Sequence, residues 1–335
     1  MKKSEVMEKI LHQSISPFSV HPKREKGLGF APTNIALCKY WGKRDTELNL
    51  PLTSSLSIAL PDKGAMTSLL LHDKPHDVVI LNGQELGQGT VFVKRLSQFL
   101  DLFRKENQWH LEININMNLP VAAGLASSAC GFASLVLALN DLFEWNLEKR
   151  QLSILARLGS GSAARSLWLG FVEWHAGVQS DGMDSYAEPL PVEWPELRVG
   201  ILTLSAEEKS ISSRDAMQRT VNSSILYSSW PKKVAQDLSI MKHALQVKNF
   251  ALLSGTAESN ALTMHATILS SWPPICYFLP ETIAAMHQVW ALRKAGLSLY
   301  FTQDAGPNLK LLFLEKDQEQ VKKHFENVEV VKVFE

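Results

Sequence analysis

Three polar clusters, far apart in a 335-residue chain, carry groups that handle phosphate and carboxylate. The first is Lys39-Tyr-Trp-Gly-Lys-Arg-Asp45, where Lys39, Lys43 and Arg44 lie within six residues beside Tyr40 and Trp41. Read as a strand, positions 39, 41 and 43 share one face. Two ammonium groups with an indole between them would clamp a phosphorylated substrate. The competing reading is a solvated basic edge; Trp41 argues against it, because a large aromatic on a charged segment packs or binds. The second cluster is Ser160-Gly-Ser162-Ala-Ala-Arg165-Ser166, a small-residue loop leading towards a helix. Its hydroxyls and guanidinium suit an acidic substrate, since arginine grips a carboxylate through two parallel bonds. The plain alternative is a tight turn with an exposed arginine. The third is Asp304-Ala-Gly-Pro-Asn308, which caps a hairpin. Its carboxylate either serves its own backbone at the turn or projects into a cleft as a base or orienting group.

A fourth stretch, Pro120–Phe132 (PVAAGLASSACGF), is the one to which these clusters must be brought. Before it, Leu111, Ile113, Ile115, Met117 and Leu119 alternate with Glu112, Asn114, Asn116 and Asn118, the period of a half-buried strand. After it, Ala129 to Leu142 is rich in Ala and Leu without proline and predicts a buried helix. Gly124, Ser127 and Ser128 then sit on the turn that opens the helix. The first amides of a helix lack internal partners and its dipole adds positive charge there, so such a turn suits phosphate. An ordinary serine N-cap is the alternative. No Gly-Lys-Ser/Thr ending is present, so this is not a Walker A loop.

Composition narrows the rest. Apolar residues make up 45% and charged residues 20%, as in globular domains. Lys+Arg and Asp+Glu both number 34, which offers no nucleic-acid groove or polybasic membrane patch. Any anion site must therefore be local. Cys38, Cys130 and Cys276 form neither zinc spacing nor a disulfide framework, and a reducing cytoplasm is expected. No apolar run reaches the length of a membrane span, and no secretory leader is predicted at the N-terminus. His265 reads as a packed or capping histidine, and no Gly-x-Ser-x-Gly elbow occurs.

The elements follow from periodicity. Residues 1–27 are expected as an extension or partly disordered tail, with Met7, Ile10 and Leu11 as a short helical stripe. Strands are expected at the start of 29–60, at 53–60, 66–71, 78–81 and 110–119, with Asn82-Gly83 as a turn. Helices are expected at 90–105, 129–142 and 147–158. Beyond a mixed segment at 167–174, a strand follows at 197–204. Helices come at 232–247, 250–261 and 281–295, the last stopped by Gly296, and a hairpin at 297–302 and 309–314. A helix at 318–327 and a strand at 328–334 close the chain. Mixed order without regular βαβ alternation predicts an α+β fold in two layers. The Pro189/Pro191/Pro195 stretch suggests division into 28–190 and 191–335, after the extension 1–27.

The phosphate turn, read as Pro-x-x-x-Gly-Leu-x-Ser-Ser-Ala, resembles the ATP loop of GHMP kinases. Taken with KYWGKRD (39–45), GSGSAARSLWLGFVEW (159–174), SISSRDAMQ (210–218), ESNALTMHA (258–266) and FTQDAGPN (301–308), the chain resembles the mevalonate diphosphate decarboxylases of that superfamily. The matching stretches run from 31 to about 314. KYWGKRD and DAGPN separate the decarboxylases from the plain kinases. The resemblance implies a two-domain fold, ribosomal-S5-like in the N-terminal half and ferredoxin-like in the C-terminal half. It implies ATP as co-substrate with Mg2+, no assigned metal ligand, and a homodimer. It implies phosphorylation of a tertiary alcohol followed by loss of phosphate and carbon dioxide to give isopentenyl diphosphate. The alternatives are a decarboxylase acting on the 5-monophosphate and a 3-kinase that stops before decarboxylation. Carried over, Asp304 orients or deprotonates the hydroxyl, Lys39 balances charge, Arg165 holds the carboxylate, and Ser128 is the catalytic serine. Tyr40, Trp41, Lys43, Ser160, Ser162 and Ser213 line the substrate site; Gly124, Leu125, Ala126, Ser127 and Ser128 cradle the ATP phosphates. Three departures stand out: the N-terminal extension lies outside the family pattern, Gln303 replaces an apolar residue before the Asp, and the arginine of the diphosphate clamp is open between Lys94 and Arg95.

Overall fold

The computed structural model describes residues 1–14, 21–104, 109–118, 127–207 and 209–334. In chain order the first half holds helix α1 (Lys3–Ser14), strands β1 (Lys26–Cys38), β2 (Lys43–Asp45), β3 (Leu50–Pro51), β4 (Ser55–His72), β5 (Val78–Leu81) and β6 (Gln84–Glu85), helix α2 (Val91–Arg104), strand β7 (His110–Met117), helices α3 (Ser127–Leu142) and α4 (Lys149–Gly159), and strands β8 (Phe171–Trp174) and β9 (Ala187–Pro189). β1 runs antiparallel along one edge of β4. On the other edge of β4, β7 pairs with its second half and β8 with its first. β5 adds in parallel beyond β7, β6 beyond β5, and β9 beyond β8.

The alternation of β7 appears as its burial pattern, with Leu111, Ile113 and Ile115 fully buried. α3 is buried nearly all round, as expected of a helix without a polar face. It lies on β1 and β4. The approach is close because β1 carries glycines: a Cβ on Gly29 would sit 2.4 Å from the Ser134 carbonyl oxygen. The two short strands expected at 53–60 and 66–71 are one strand, β4. A register shift opposite Pro32/Thr33 lets Pro61–Lys63 bulge and the strand bend, a feature that periodicity hides.

The second half holds β10 (Leu197–Leu202), α5 (Ser213–Ser223), α6 (Trp230–Gln246), α7 (Phe250–Leu269), α8 (Pro280–Lys294), β11 (Tyr300–Gln303), β12 (Leu309–Leu314), α9 (Gln318–His324) and β13 (Val328–Lys332). Its antiparallel sheet has the order β11-β12-β10-β13. β11 and β12 form the expected hairpin. α8 ends before Gly296, whose φ is +101°. The expected helix at 250–261 continues to Leu269, which places His265 inside it. α5 was not anticipated: its run SRDAMQRTVNS is polar, and only Ala216, Met217 and Thr220 are buried.

The tail reading of residues 1–27 needs correction. α1 is packed, with Val6, Met7, Ile10 and Leu11 at 0–1% exposure, and β1 already begins at Lys26. α1 rests on α2 and α4. The expected stripe of Met7, Ile10 and Leu11, joined by Val6, buries one face of the helix. One apolar cluster runs through both halves of the chain, and a smaller one lies around Phe301, Phe313 and Val289. α7 touches both β1 and β11, which brings the C-terminal end of β1 against the hairpin.

Candidate active site

The strand β1 stops at Cys38, and the residue after it is pinned from the other half of the chain. The Lys39 amide donates to Asn260 Oδ1 on α7 at 2.9 Å. Its ammonium donates to the Ala36 carbonyl at 2.7 Å and to Asp304 Oδ1 at 2.8 Å. Lys310 Nζ stands 3.8 Å from the other carboxylate oxygen. Lys39 is 2% exposed and Asp304 23%, so the carboxylate faces an opening while the lysine does not. Burial alone would raise the Asp304 pKa; Lys39, Lys310 and Arg165 overcome it and hold the carboxyl below its ordinary range. Burial lowers the Lys39 pKa, and Asp304 opposes that shift.

The loop itself is fixed from behind. His265 Nε2 lies 3.1 Å from the Asp304 carbonyl oxygen, which can only accept, so this nitrogen carries the proton. Burial, with Lys39 nearby, pushes the His265 pKa down to about 3. His265 is therefore a neutral donor that positions the loop, as its packed reading predicted. Gln303 is wholly buried and donates to the Gly306 carbonyl at 2.8 Å, closing the same turn.

Arg165 reaches this centre from the first half. It lies at the end of a short 3-10 turn, Gly161–Arg165, rather than on a loop that leads into a helix. Its guanidinium is 3% exposed and donates to Asn34 Oδ1 from Nε at 3.3 Å and Nη2 at 3.2 Å, and to Ser55 Oγ from Nη1 at 2.5 Å. Burial lowers its pKa to about 10, with Asp304 opposing, so it stays charged at neutral pH. Tyr40 packs edge-on against Trp174 at 4.8 Å, and its hydroxyl is buried without a hydrogen-bond partner among the described residues. Ser160 and Ser162 place their hydroxyls 3.5 Å apart. Ser213 opens α5 and accepts from Lys209 Nζ at 2.8 Å; the same ammonium donates to the Ala305 carbonyl at 3.1 Å. Ser213 is thus tied to the residue after Asp304.

The shared strand face for residues 39, 41 and 43 is a correction. The strand ends at Cys38 and the next begins at Lys43, with Gly42 at φ +123° between them. Trp41 is 3% exposed in the apolar core, its carbonyl accepting from the Tyr227 hydroxyl at 3.1 Å. Lys43 instead donates to Asn49 Oδ1 at 2.7 Å and joins Lys3, Arg95 and Arg214 in a cluster of positive charge. A Cβ at Gly42 would lie 1.7 Å from Tyr227 Oη. Gly42→Ala is expected to cost about 3 kcal/mol of stability, read as a lowered thermal melt, because strain and clash add.

Gly124, Leu125 and Ala126 lie outside the described residues, and of Ser127 only its place as the first residue of α3 is described. Ser128 is half-buried in the first helical turn. α3 packs on the turn that carries Arg165. Among the described residues no group of three acidic, His or Cys side chains could hold a metal ion.

Residues 31–187 match the diphosphomevalonate decarboxylase-like N-terminal domain, and 199–332 the mevalonate 5-diphosphate decarboxylase C-terminal domain. The chain belongs to the diphosphomevalonate decarboxylase family. The diphosphomevalonate decarboxylase of Aspergillus fumigatus is 39% identical over 318 residues, 87% of this chain and 77% of that protein. The Staphylococcus aureus mevalonate diphosphate decarboxylase has a TM-score of 0.87 at 36% identity, covering 92% of this chain and 96% of that one. A related complex, MDDEF with MVAPP, AMPPCP and magnesium, has a TM-score of 0.85 at 39% identity, covering 92% and 97%. The fold is accordingly that of the GHMP kinases.

Several polar residues around Lys39, Asp304 and Lys43 escaped the sequence reading. Lys310 is 1% exposed inside the apolar strand LKLLFL, and a lone lysine in such a run was the available signal. Arg214 directly follows Ser213 at the start of α5. Asn260 bonds both Lys39 and Asp237, the latter at 2.8 Å, and gave no local sign of that role.

Proposed function

We propose that the chain catalyses the ATP-dependent decarboxylation of mevalonate 5-diphosphate to isopentenyl diphosphate, releasing ADP, phosphate and carbon dioxide. One observation carries the reading: the 2.8 Å contact between Lys39 and Asp304, 265 positions apart, which joins the two halves of the chain and leaves the carboxylate part-exposed. Asp304 accepts a hydrogen bond from the tertiary hydroxyl and aims its oxygen at the γ-phosphoryl group. Its lowered pKa makes it a better orienting group than base, and the hydroxyl proton passes to it late, as phosphoryl transfer through a loose transition state allows. Lys39 balances charge on the transferred group. Arg165 holds the substrate carboxylate. When phosphate leaves carbon 3, the electrons of the bond to the carboxylate fill the developing cation, and carbon dioxide departs. The orphaned Tyr40 hydroxyl supports a place for that residue, with Ser160, Ser162 and Ser213, on the substrate. Ser127 and Ser128, with the turn Gly124, Leu125, Ala126, take the ATP phosphates. Magnesium would enter with ATP, held chiefly by the ATP phosphates and water.

The positive cluster of Lys43, Arg95 and Arg214 takes the 5-diphosphate. Burial, then Arg214, Lys3 and Arg95, lowers the Lys43 pKa to about 8. Lys43 therefore loses its charge as pH rises through about 8. KM for the phosphorylated substrate is expected to climb roughly five- to tenfold between pH 7 and 9. Steady-state kinetics across that range check it, and Lys43→Met should flatten the profile.

A cytoplasmic location is supported by three free cysteines, two of them buried. A homodimer is supported by the exposed strip of Leu28, Phe30, Met66 and Leu70 on neighbouring strands β1 and β4. No described helix is long and apolar enough to cross a membrane.

The test is direct. With magnesium-ATP and mevalonate 5-diphosphate, ADP, phosphate and carbon dioxide should form in equal amounts. ADP without carbon dioxide would make the protein a 3-kinase, and preference for the 5-monophosphate would change the substrate.

A further inference from the structure

α1 presents a lysine on its buried face. Lys3, Val6, Met7 and Ile10 are spaced i, i+3, i+4 and i+7, one side of a helix. The three apolar members are fully or almost fully buried, and the helix is held further by the Lys9–Asp181 ion pair at 2.6 Å. α1 packs on α2, which carries Arg95. Lys3, half-buried at the start of that stripe, lies within electrostatic reach of Arg95 and Arg214, and Lys43 within reach of all three. Two carboxylates stand nearby: the exposed Glu47 towards Lys3 and Asp215 towards Arg95. Ser212 Oγ already donates to Asp215 at 2.6 Å. Among the described residues Lys3, Arg95 and Arg214 make no ion pair. Four cations against two carboxylates, brought together by a packed helix, make a cluster of net positive charge suited to a polyanion.

We propose that Lys3 is a specificity-determining residue, and that α1 delivers it as the fourth cation on the outer phosphate of the 5-diphosphate. This rests on the reading of the cluster as the diphosphate end. A monophosphate places its charge nearer Lys43 and gains little from Lys3; a diphosphate spans both. The family match begins at residue 31, so the segment that supplies Lys3 lies outside it.

The experiment compares Lys3→Gln with wild type, Lys2→Gln serving as a control of equal charge from an exposed position. Lys3→Gln should raise KM for mevalonate 5-diphosphate about tenfold, leave kcat within about twofold, and leave KM for the 5-monophosphate unchanged. Lys3→Arg should restore the preference. Equal changes for both substrates, or none, would overturn the proposal. Calorimetric titration with inorganic pyrophosphate separates it from the parent reading. Unchanged pyrophosphate affinity in Lys3→Gln sinks the role of Lys3 whatever the enzyme turns over. A tenfold loss, in a protein that releases no carbon dioxide from either mevalonate phosphate, upholds the anion-binding role of the cluster and sinks the decarboxylase.

Discussion

Asp304→Asn should lower turnover about a thousandfold while an ATP analogue still binds within about threefold of wild type. The isostere keeps the turn, because the bonds that shape it involve backbone: His265 donates to the 304 carbonyl, and the Gly306 amide to the same oxygen at 2.8 Å. What disappears is the charge. Lys39 then lies buried without its counter-ion, and its pKa falls further, so the site loses both the hydroxyl's acceptor and the ammonium opposite the transferred phosphoryl group. Initial rates of carbon dioxide release, a nucleotide titration and a thermal melt together read this out. Turnover within tenfold of wild type would remove Asp304 from the mechanism.

Arg165→Lys should reduce kcat/KM for the phosphorylated substrate by roughly a hundredfold or more and leave KM for ATP nearly unchanged. Charge is kept but the fork is lost. The guanidinium uses Nε and Nη2 on Asn34 and Nη1 on Ser55, which fixes its plane. A lysine has one nitrogen and cannot both satisfy that frame and grip a carboxylate by two bonds. Asn34 has a second anchor, donating to Ser166 Oγ at 2.6 Å, so the frame itself should survive. If the kinetics of Arg165→Lys match wild type, the carboxylate contact belongs elsewhere.

Much of the local structure was legible because burial imposes period. The alternation at 110–117 and the apolar spacing at 91–104 place side chains on one face whatever packs against them. α5 was not legible, since its few buried residues leave too faint a stripe. Nor was the single bent strand β4, because the bulge that joins its halves breaks the alternation. The packed α1 showed its stripe but not its partner.

The sequence alone determined the chemistry on offer: a serine-rich helix start for phosphate, an arginine for carboxylate, a lysine in a basic aromatic cluster and an aspartate at a hairpin turn. These are properties of residue type and near neighbours, which short-range sterics and hydrogen bonding decide. Tertiary structure alone decided which of these groups meet. It set Lys39 on Asp304, left Trp41 in the core, and turned Lys43 towards Arg95 and Arg214. Such pairings depend on how strands and helices hundreds of residues apart bury one another's faces, and in a buried site they fix which charges are stabilised and which are suppressed.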